Sequence, residues 1–422
     1  MRLESRRIVS TRAVELYLTA TADPAGDPAC EAGRMFDAIQ STLGETQAPW
    51  SDSPSGVRRG TRACVQRVFV PDGCLDAYLQ AWRAAEGRSQ TDCVCTWLRA
   101  GPSAAGGVQA HAIAGPGEWA PLRDGSGATA GWACRNGATR WALAGGLWLP
   151  PAGDDVSTTR EAFAAAEGLL AQAGMGLGDV ARTWFFLDDI LGWYGQFNTG
   201  RNEVFRQRGL LSAPLGVAGG GGPVEPPPVG PSPRAGGPNV PASTGIGVSP
   251  AGGGRLAMEL IAVRGEEGCI LRCPAAGRQH CAYDYGSAFA RASEAATPAG
   301  RTVFVSGTAA IDEQGRTCFL GDAPGQIRMT LGNVLAVLSD MRCSPQDVVQ
   351  AIAYCKTPAV AARFAELRMG SNSSHAGPAA SPAPATFQVP AWPWVVAVCD
   401  VCRDDLLFEV EATACRPADP PG

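Results

Sequence analysis

One order of secondary structure is predicted three times along the chain, and this repeat limits the possible folds more than any other feature. The last copy is the clearest, because short runs rich in β-branched and aromatic residues alternate with stretches of helical apolar spacing. Its predicted elements follow the order β-α-β-α-β-β, over residues 301–310, 326–341, 347–354, 358–369, 394–402 and 406–414. A unit of this kind combines a sheet with helices and predicts an α+β fold.

The same order is found twice more upstream. In the middle copy it covers residues 140–149, 158–173, 179–187, 190–205, 241–248 and 256–263. In the first copy, which has diverged most, it covers residues 14–20, 31–43, 63–70, 75–85, 94–100 and 108–114. We therefore predict three tandem units, at residues 1–118, 128–265 and 280–418.

Two stretches rich in glycine and proline support this alignment of the copies. Residues 215–238 and 370–384 both lie between the second helix and the closing strands, one in the middle copy and one in the last. Such composition buries little apolar surface and is typical of solvent-facing insertions. Insertions at one topological position are expected of a repeat whose copies expose the same loop.

Charge and hydropathy exclude several classes of function. The chain has 422 residues and a formal net charge of -5, which argues against binding to nucleic acid and gives little support to RNA cleavage. The longest apolar runs, such as residues 392–399, are far shorter than the roughly 20 residues of a membrane span. No secretory signal is recognisable in residues 1–7, so we expect a cytoplasmic protein with reduced cysteines and no membrane partner.

No metal or cofactor is predicted. Cys399 and Cys402 have the spacing of a zinc half-site, but the chain has only three histidines, and none stands at ligand spacing from them. Cys269, Cys273 and the pair His280-Cys281 give only a weak second indication of a metal site. Phosphate-binding loops and dinucleotide fingerprints are missing from the sequence.

The last copy resembles the Rid superfamily, also called the YjgF or RidA family. The matching residues are the strand end Val305-Ser306-Gly307-Thr308, Asn333 on the first helix, residues 347–349, and the ending Leu407-Phe408-Glu409-Val410-Glu411-Ala412. The resemblance implies a chorismate-mutase-like fold and ligand clefts between neighbouring subunits of a homotrimer. Three copies in one chain then predict a monomer folded as a covalent pseudo-trimer.

The residue that the resemblance marks as functional is Glu409. Counting along the copies puts Glu259 in the same place of the middle unit and Gln109 in the first. Imine-deaminating Rid proteins also have an arginine about fifteen positions before this glutamate, which holds a substrate carboxylate. The corresponding residues here are Trp394, Thr244 and Val94, which weakens the prediction of ordinary 2-imino-acid deamination.

Several segments are similar to chorismatases, the Rid-like enzymes that remove pyruvate from chorismate. They are residues 402–409 (CRDDLLFE), 197–201 (FNTGR), 241–247 (PASTGIG) and 288–291 (AFAR). The resemblance implies hydrolysis of an enol ether, in which a carboxylic acid of raised pKa protonates the methylene carbon. Glu409 is the predicted general acid or base, and strand alternation puts Glu411 on the same face as a second candidate. The alternative is that both glutamates face solvent.

The predicted substrate contacts follow from these segments. Arg201, Arg403 and Arg291 are candidates for binding the carboxylates of a small substrate, although surface arginines on a turn or helix have the same pattern. Phe289 either lines the cleft or packs in the core. Ser306, Gly307 and Thr308 either hold an anion at the strand end or form a plain turn. The remaining predicted contacts are Trp394, Cys402 and Thr244.

Three functions remain open from the sequence. The first is a Rid-superfamily enzyme that acts on an enol-ether, enamine or imine carboxylate, most concretely by chorismatase-like hydrolysis with pyruvate elimination. The second is an enamine or imine deaminase that uses water held by Glu409. The third is a non-catalytic pseudo-trimer that binds a ligand or a partner.

Overall fold

Three mixed sheets, one per repeat, form the framework of the protein. The computed structural model describes residues 1–10, 13–45, 63–87, 93–115, 117–211, 239–372 and 387–417. Within the described part of the chain, no helix is long and apolar enough to cross a membrane. The predicted insertion 215–238 and residues 373–384 of the second insertion lie outside the described residues, as does His375.

The first sheet has the strand order β1-β2-β5-β3-β4 and carries two helices. Its elements are β1 (Arg2–Val9), β2 (Val14–Thr21), α1 (Pro28–Glu45), β3 (Ala63–Val70), α2 (Leu75–Glu86), β4 (Cys93–Arg99) and β5 (Gly107–Ala114).

The second sheet has the order β10-β9-β11-β8-β7-β6. Its elements are β6 (Glu118–Arg123), β7 (Thr129–Asn136), β8 (Thr139–Leu149), α3 (Asp155–Gln172), β9 (Val180–Leu187), α4 (Ile190–Gln207), β10 (Ala242–Ile246) and β11 (Leu256–Arg264).

The third sheet has the order β12-β13-β14-β17-β15-β16. Its elements are β12 (Ile270–Cys273), β13 (Ala292–Thr297), β14 (Gly300–Ala309), α5 (Ala323–Asp340), β15 (Val348–Cys355), α6 (Pro358–Asn372), β16 (Trp394–Val398) and β17 (Phe408–Pro417). Residues 370–372, predicted as the start of the second insertion, are the last turn of α6.

The predicted α+β architecture of three tandem β-α-β-α-β-β units is confirmed, and each unit gains edge strands before its first predicted strand. β1, β7 and β13 pair antiparallel with β2, β8 and β14, and β6 and β12 extend two of these edges. The sequence pattern did not reveal β1 (RLESRRIV), because this edge strand is largely exposed and has no run of apolar residues.

The helices of each unit cover one face of its sheet, and the opposite faces of the three sheets meet. In α1, for example, Met35, Phe36 and Ile39 are buried against the first sheet. The inner faces share one apolar cluster, with contributions such as Phe69, Trp184 and Phe304 from the three units. The units therefore surround a common pseudo-threefold axis, as predicted for a pseudo-trimer.

Strand pairing fixes which residues of the three units are equivalent. Gln109 pairs with Arg67, Glu259 with Trp184, and Glu411 with Ile352. These pairs occupy the same place in their sheets, so Gln109 and Glu259 are the counterparts of Glu411. The predicted equivalence of Glu259 and Gln109 with Glu409 is therefore wrong by two residues. A two-residue slip keeps every side chain on its face, so alternation alone does not detect it.

The counterparts of Glu409 follow from the same pairing. Glu409 pairs with Tyr354 on β15, and the matching pairs are Ala257 with Phe186 and Gly107 with Phe69. The first two units therefore lack a carboxyl group at this place.

Candidate functional site

A cleft lies at the junction between the middle and last units, and it contains most of the predicted site residues. The residues that line it are Tyr194, Arg201, Ser243, Gly245, Ser287, Phe289, Arg291, Gly307, Ala309, Ile311, Cys402, Arg403 and Glu409. Residues of α4 and β10 form one wall of the cleft. The other wall consists of residues that precede β13, residues of the strands β14 and β17, and residues of the loops that follow β14 and precede β17.

Backbone and hydroxyl groups join the two units at this cleft. Ala242 and Ala290 form a parallel bridge between the units. The backbone N–H of Ser243 donates to the Ser306 hydroxyl at 2.8 Å, and that hydroxyl donates to the carbonyl of Ala290 at 2.6 Å. The Thr308 hydroxyl donates to the carbonyl of Ser306 at 2.8 Å. Both hydroxyls are thus engaged within the junction and do not line the cleft.

Gly307 is where β14 approaches the Glu409 carboxylate. The register between β14 and β17 shifts between Val305 and Thr308, so Gly307 lies in an irregular part of the strand. An ideal Cβ at Gly307 would lie 2.1 Å from Glu409 Oε1. The Gly307 N–H donates to the Thr244 hydroxyl of the middle unit at 3.0 Å. Thr244 therefore lies behind the cleft wall, where it fixes Gly307.

Glu409 is buried, with only 4% of its surface exposed, and its carboxyl group makes no hydrogen bond to the described residues. Burial is the main cause that raises its pKa to about 8, and the nearby charge of Glu411 raises it further. The positive charges of Arg182 and Arg291 oppose this shift. At neutral pH the Glu409 carboxyl group is therefore mainly protonated and able to donate a proton.

Three arginines give the cleft a positive character. Arg201 and Arg291 are buried, and their guanidinium carbons lie 5.8 and 5.3 Å from the centroid of the Phe289 ring. Arg291 Nε also donates to the carbonyl of His280 at 3.0 Å, and Arg403 donates to the carbonyl of Gly315 at 2.7 Å. Guanidinium groups fixed in this way suit bidentate recognition of carboxylates.

Glu411 does not reach the cleft and lies instead in a cavity on the pseudo-threefold axis. It accepts from Arg182 at 2.8 Å, from Arg67 at 3.1 Å and from the Trp184 indole N–H at 2.9 Å. Arg67 also forms an ion pair with Glu259. The two glutamates share a face of β17, as expected, but they extend into different cavities.

Trp394 lies away from the cleft. Its ring packs edge-on against Phe364 and next to Trp392 in the core of the last unit. Its indole N–H donates to the carbonyl of Pro390 at 2.9 Å. The predicted substrate contact of Trp394 is therefore replaced by a position in the core of the last unit.

Arg182 and Tyr354 were not predicted from the sequence, but they lie beside the site. Arg182 donates both to Glu411 and to the Thr244 hydroxyl, so it connects the axis with the cleft wall. One signal for it exists in the sequence, because Arg182 is a charged residue inside the otherwise apolar strand VARTWFFL. A buried charge of this kind requires partners.

The other two junctions lack these groups. Glu409 is replaced by Ala257 and Gly107, as the strand pairing shows. Arg291 directly precedes Ala292, and the residues in the same place of the other units are Ala130 and Glu4. At the junction between the first and middle units, Trp148 is the counterpart of Ala309. Among the described residues, the combination of Glu409, Arg201 and Arg291 lies at the junction between the middle and last units.

Metal ligation has no support in the described part of the chain, where no group of three or more His, Cys, Asp or Glu is placed to hold an ion. Cys399 and Cys402 are both free thiols. Cys402 lines the cleft, and its burial and the charge of Glu409 raise the pKa of the thiol to about 12. The thiol is therefore protonated and is not an anionic nucleophile.

Comparison with known proteins agrees with the predicted resemblance. The sequence model of the family described as Endoribonuclease L-PSP matches residues 286–415, which confirms the Rid resemblance of the last unit. A crystal structure of a chorismatase is 19% identical, covers 87% of this chain and 97% of that chain, and has a TM-score of 0.53. The chain therefore has the fold of a chorismatase over nearly its whole length.

Two further solved structures are similar to about a third of the chain. A protein of the Rid family from Yersinia pestis is 16% identical over 30% of this chain and 86% of that chain, with a TM-score of 0.23. The protein YjgH is 21% identical over 35% of this chain and 96% of that chain, with a TM-score of 0.25. No curated protein matches the sequence.

Proposed function

We propose that the protein hydrolyses the enol ether of chorismate, or of a closely related dicarboxylate, and releases pyruvate. The observation that carries this proposal is Glu409, a buried carboxyl group with a pKa raised to about 8 that lies in a cleft with Arg201 and Arg291. The chorismatase-like fold supports the same substrate class.

The first chemical step requires a proton donor that is neutral at the pH of the reaction. Glu409 donates its proton to the methylene carbon of the enol ether, which forms a C–H bond and leaves an oxocarbenium ion. Water then adds to the cationic carbon, and the Glu409 carboxylate accepts the proton that this water loses. The resulting hemiketal then collapses: the bond between its central carbon and the ether oxygen breaks, and the proton of the hemiketal hydroxyl passes to that ether oxygen. The products are pyruvate and an alcohol on the ring.

The arginines account for binding. Chorismate carries two carboxylates, and Arg201 and Arg291 lie in the same cleft as the acid. Arg403 is less buried and adds positive charge to the lining. A salt bridge in such a poorly hydrated place orients the substrate, so that the methylene carbon meets Glu409. Phe289 and Cys402 supply the apolar surface that keeps the acid protonated.

The direct test is pyruvate release from chorismate, followed with lactate dehydrogenase and NADH. We expect turnover by the native chain and a loss of about 100-fold or more in Glu409→Gln, which keeps the shape but removes the acid. Glu366→Gln is the matched control, because this glutamate is exposed on α6 of the same unit. The proposal is wrong if the native chain releases no pyruvate, or if Glu409→Gln is as active as the control.

The two other hypotheses from the sequence give different results in the same experiment. Ammonia release from freshly generated 2-iminobutanoate, without pyruvate release from chorismate, indicates a deaminase. A rise in thermal stability with chorismate in the absence of either product indicates a binding protein.

A further inference from the structure

Two buried polar atoms beside Glu409 make no hydrogen bond to the described residues. They are the hydroxyl oxygen of Tyr354, whose side chain is fully buried, and Nη1 of Arg182, which is 1% exposed. Buried donors and acceptors in folded proteins nearly always have a partner, so each exception requires an explanation.

The two groups are held on the same side of the site. Tyr354 is the direct cross-strand neighbour of Glu409, so the two side chains leave the sheet on the same face. Arg182 is fixed through Nη2, which donates to Glu411 at 2.8 Å and to Thr244 at 2.5 Å. Arg182 is close enough to both side chains for its positive charge to lower the pKa of Tyr354 and the pKa of Glu409.

The other two units have different residues at the positions equivalent to Tyr354 and Glu409. Where the last unit pairs Tyr354 with Glu409, the middle unit pairs Phe186 with Ala257, and the first unit pairs Phe69 with Gly107.

Arg182 pairs with Ile261, and the matching pairs are Val65 with His111 and Gln350 with Thr413. The hydroxyl, the carboxyl group and the guanidinium group thus replace apolar or uncharged residues at a single junction. A role in packing does not explain this, because phenylalanine fills the Tyr354 position in both other units.

We propose that the Tyr354 hydroxyl and Arg182 Nη1 together hold a water molecule against Glu409, and that this is the water consumed in the reaction. A buried water typically makes about three hydrogen bonds, and the two unpartnered groups and the Glu409 carboxyl group supply that number. Tyr354 and Arg182 are in this role positioning residues that act through the water.

The chemistry rests on the proposed function. After Glu409 has given its proton to the substrate carbon, its carboxylate is the base that lies next to the held water. The water oxygen bonds to the cationic carbon, and one of its protons passes to Glu409, which returns to its starting state. Arg182 and Tyr354 remain unchanged and only fix the orientation of the water.

The kinetic test is Tyr354→Phe, which removes one oxygen atom and introduces the residue found in both other units. We expect kcat for pyruvate release from chorismate to fall by about 10-fold or more while KM changes by less than about 2-fold. Tyr78→Phe is the matched control, because the Tyr78 hydroxyl is also buried without a partner but belongs to the first unit. Equal kcat values for Tyr354→Phe and Tyr78→Phe would overturn the assignment.

A crystal structure of the native chain supplies a readout that does not depend on turnover. We expect density for one water within hydrogen-bond distance of both Tyr354 Oη and Arg182 Nη1, and loss of this density in Tyr354→Phe. If the water is present but chorismate is not hydrolysed, the proposed function fails and the water site stands. If chorismate is hydrolysed and no water lies there, the water site fails and the proposed function stands.

Discussion

The backbone of Gly307 lies so close to the Glu409 carboxyl group that any side chain at position 307 would displace it. An ideal Cβ on Gly307 would lie 2.1 Å from Glu409 Oε1 and 3.2 Å from Thr244 Cγ2. Such a distance to the carboxylate oxygen is far below van der Waals contact. The absence of a side chain at position 307 is therefore a condition for the position of the proposed acid.

Gly307→Ala is expected to displace Glu409 and to reduce pyruvate release from chorismate by about 10-fold or more, because a shift of about 1 Å is costly in catalysis. Gly332→Ala is the control, since no atom lies within 4 Å of its added Cβ. Gly332 lies inside α5, so this control is expected to raise the free energy of unfolding by about 0.5–1 kcal/mol. Steady-state kinetics and thermal unfolding check both variants, and full activity of Gly307→Ala would contradict the prediction.

The pH dependence of the reaction follows from the pKa of Glu409, which is raised from 4.5 to about 8. The protonated form is the proposed acid, so kcat/KM is expected to be highest below this pKa and to fall as the pH rises through about 8. The measurement is a pH profile of pyruvate release. A profile that keeps rising above pH 8 would show that the carboxylate, not the acid, is the active form.

The stability of the fold is linked to the same proton. The pKa of Glu409 is higher in the folded state than its unfolded value of 4.5, so binding of the proton stabilises the fold. This stabilisation is fully present below about pH 4.5 and is lost as the pH rises to about 8. Glu409→Gln does not titrate, so its free energy of unfolding relative to the native chain is expected to increase across this range. Denaturant unfolding at several pH values checks this, and a difference independent of pH would contradict it.

Glu411 is expected to affect both stability and the proton affinity of Glu409. Glu411→Gln removes the partner of Arg182 and one partner of Arg67, which is expected to lower the free energy of unfolding by about 3–5 kcal/mol. It also removes a negative charge that raises the pKa of Glu409, so the alkaline limb of the pH profile is expected to move to lower pH.

Glu259→Gln is the matched control for Glu411→Gln. Glu259 is the counterpart of Glu411 in the middle unit and forms an ion pair with Arg67. We expect this variant to lose stability without a shift of the alkaline limb. Equal shifts in both variants would mean that the charge of Glu411 is not what tunes Glu409.

The arginines of the cleft are expected to govern KM. Arg201→Lys and Arg291→Lys keep the charge but remove the planar fork, so KM for chorismate is expected to rise by about 10-fold in each. Arg278→Lys serves as the control, because Arg278 is exposed and does not line the cleft. Unchanged KM values in both cleft variants would remove the arginines from the binding assignment.

One ligand per chain is expected, although the chain has three junctions between its units. Calorimetric titration of Glu409→Gln with chorismate is expected to give a stoichiometry near one, since Ala130 and Glu4 replace Arg291 at the other junctions. A stoichiometry near three would mean that binding does not require the groups found at this cleft.

The repeat and its α+β order were predictable from the sequence. Hydrophobic periodicity placed most helices and central strands within a few residues of their bounds, because one face of each is buried. The motifs also led to Glu409, Arg201, Arg291, Arg403, Phe289, Gly307 and Cys402, which the structure brings together in one cleft. These residues come from distant segments, but each lies in a recognisable motif.

Only the tertiary structure shows which partners each side chain meets, because alternation and spacing in the sequence do not contain this information. Alternation put Glu409 and Glu411 on one face, but only the packing of three units shows that Glu409 meets the cleft while Glu411 meets Arg67, 344 residues away. The pairing of strands also identified the counterparts of Glu409, and it placed Trp394 in a core. Side-chain periodicity encodes a direction from the sheet, whereas the partner in that direction depends on which unit is packed against it.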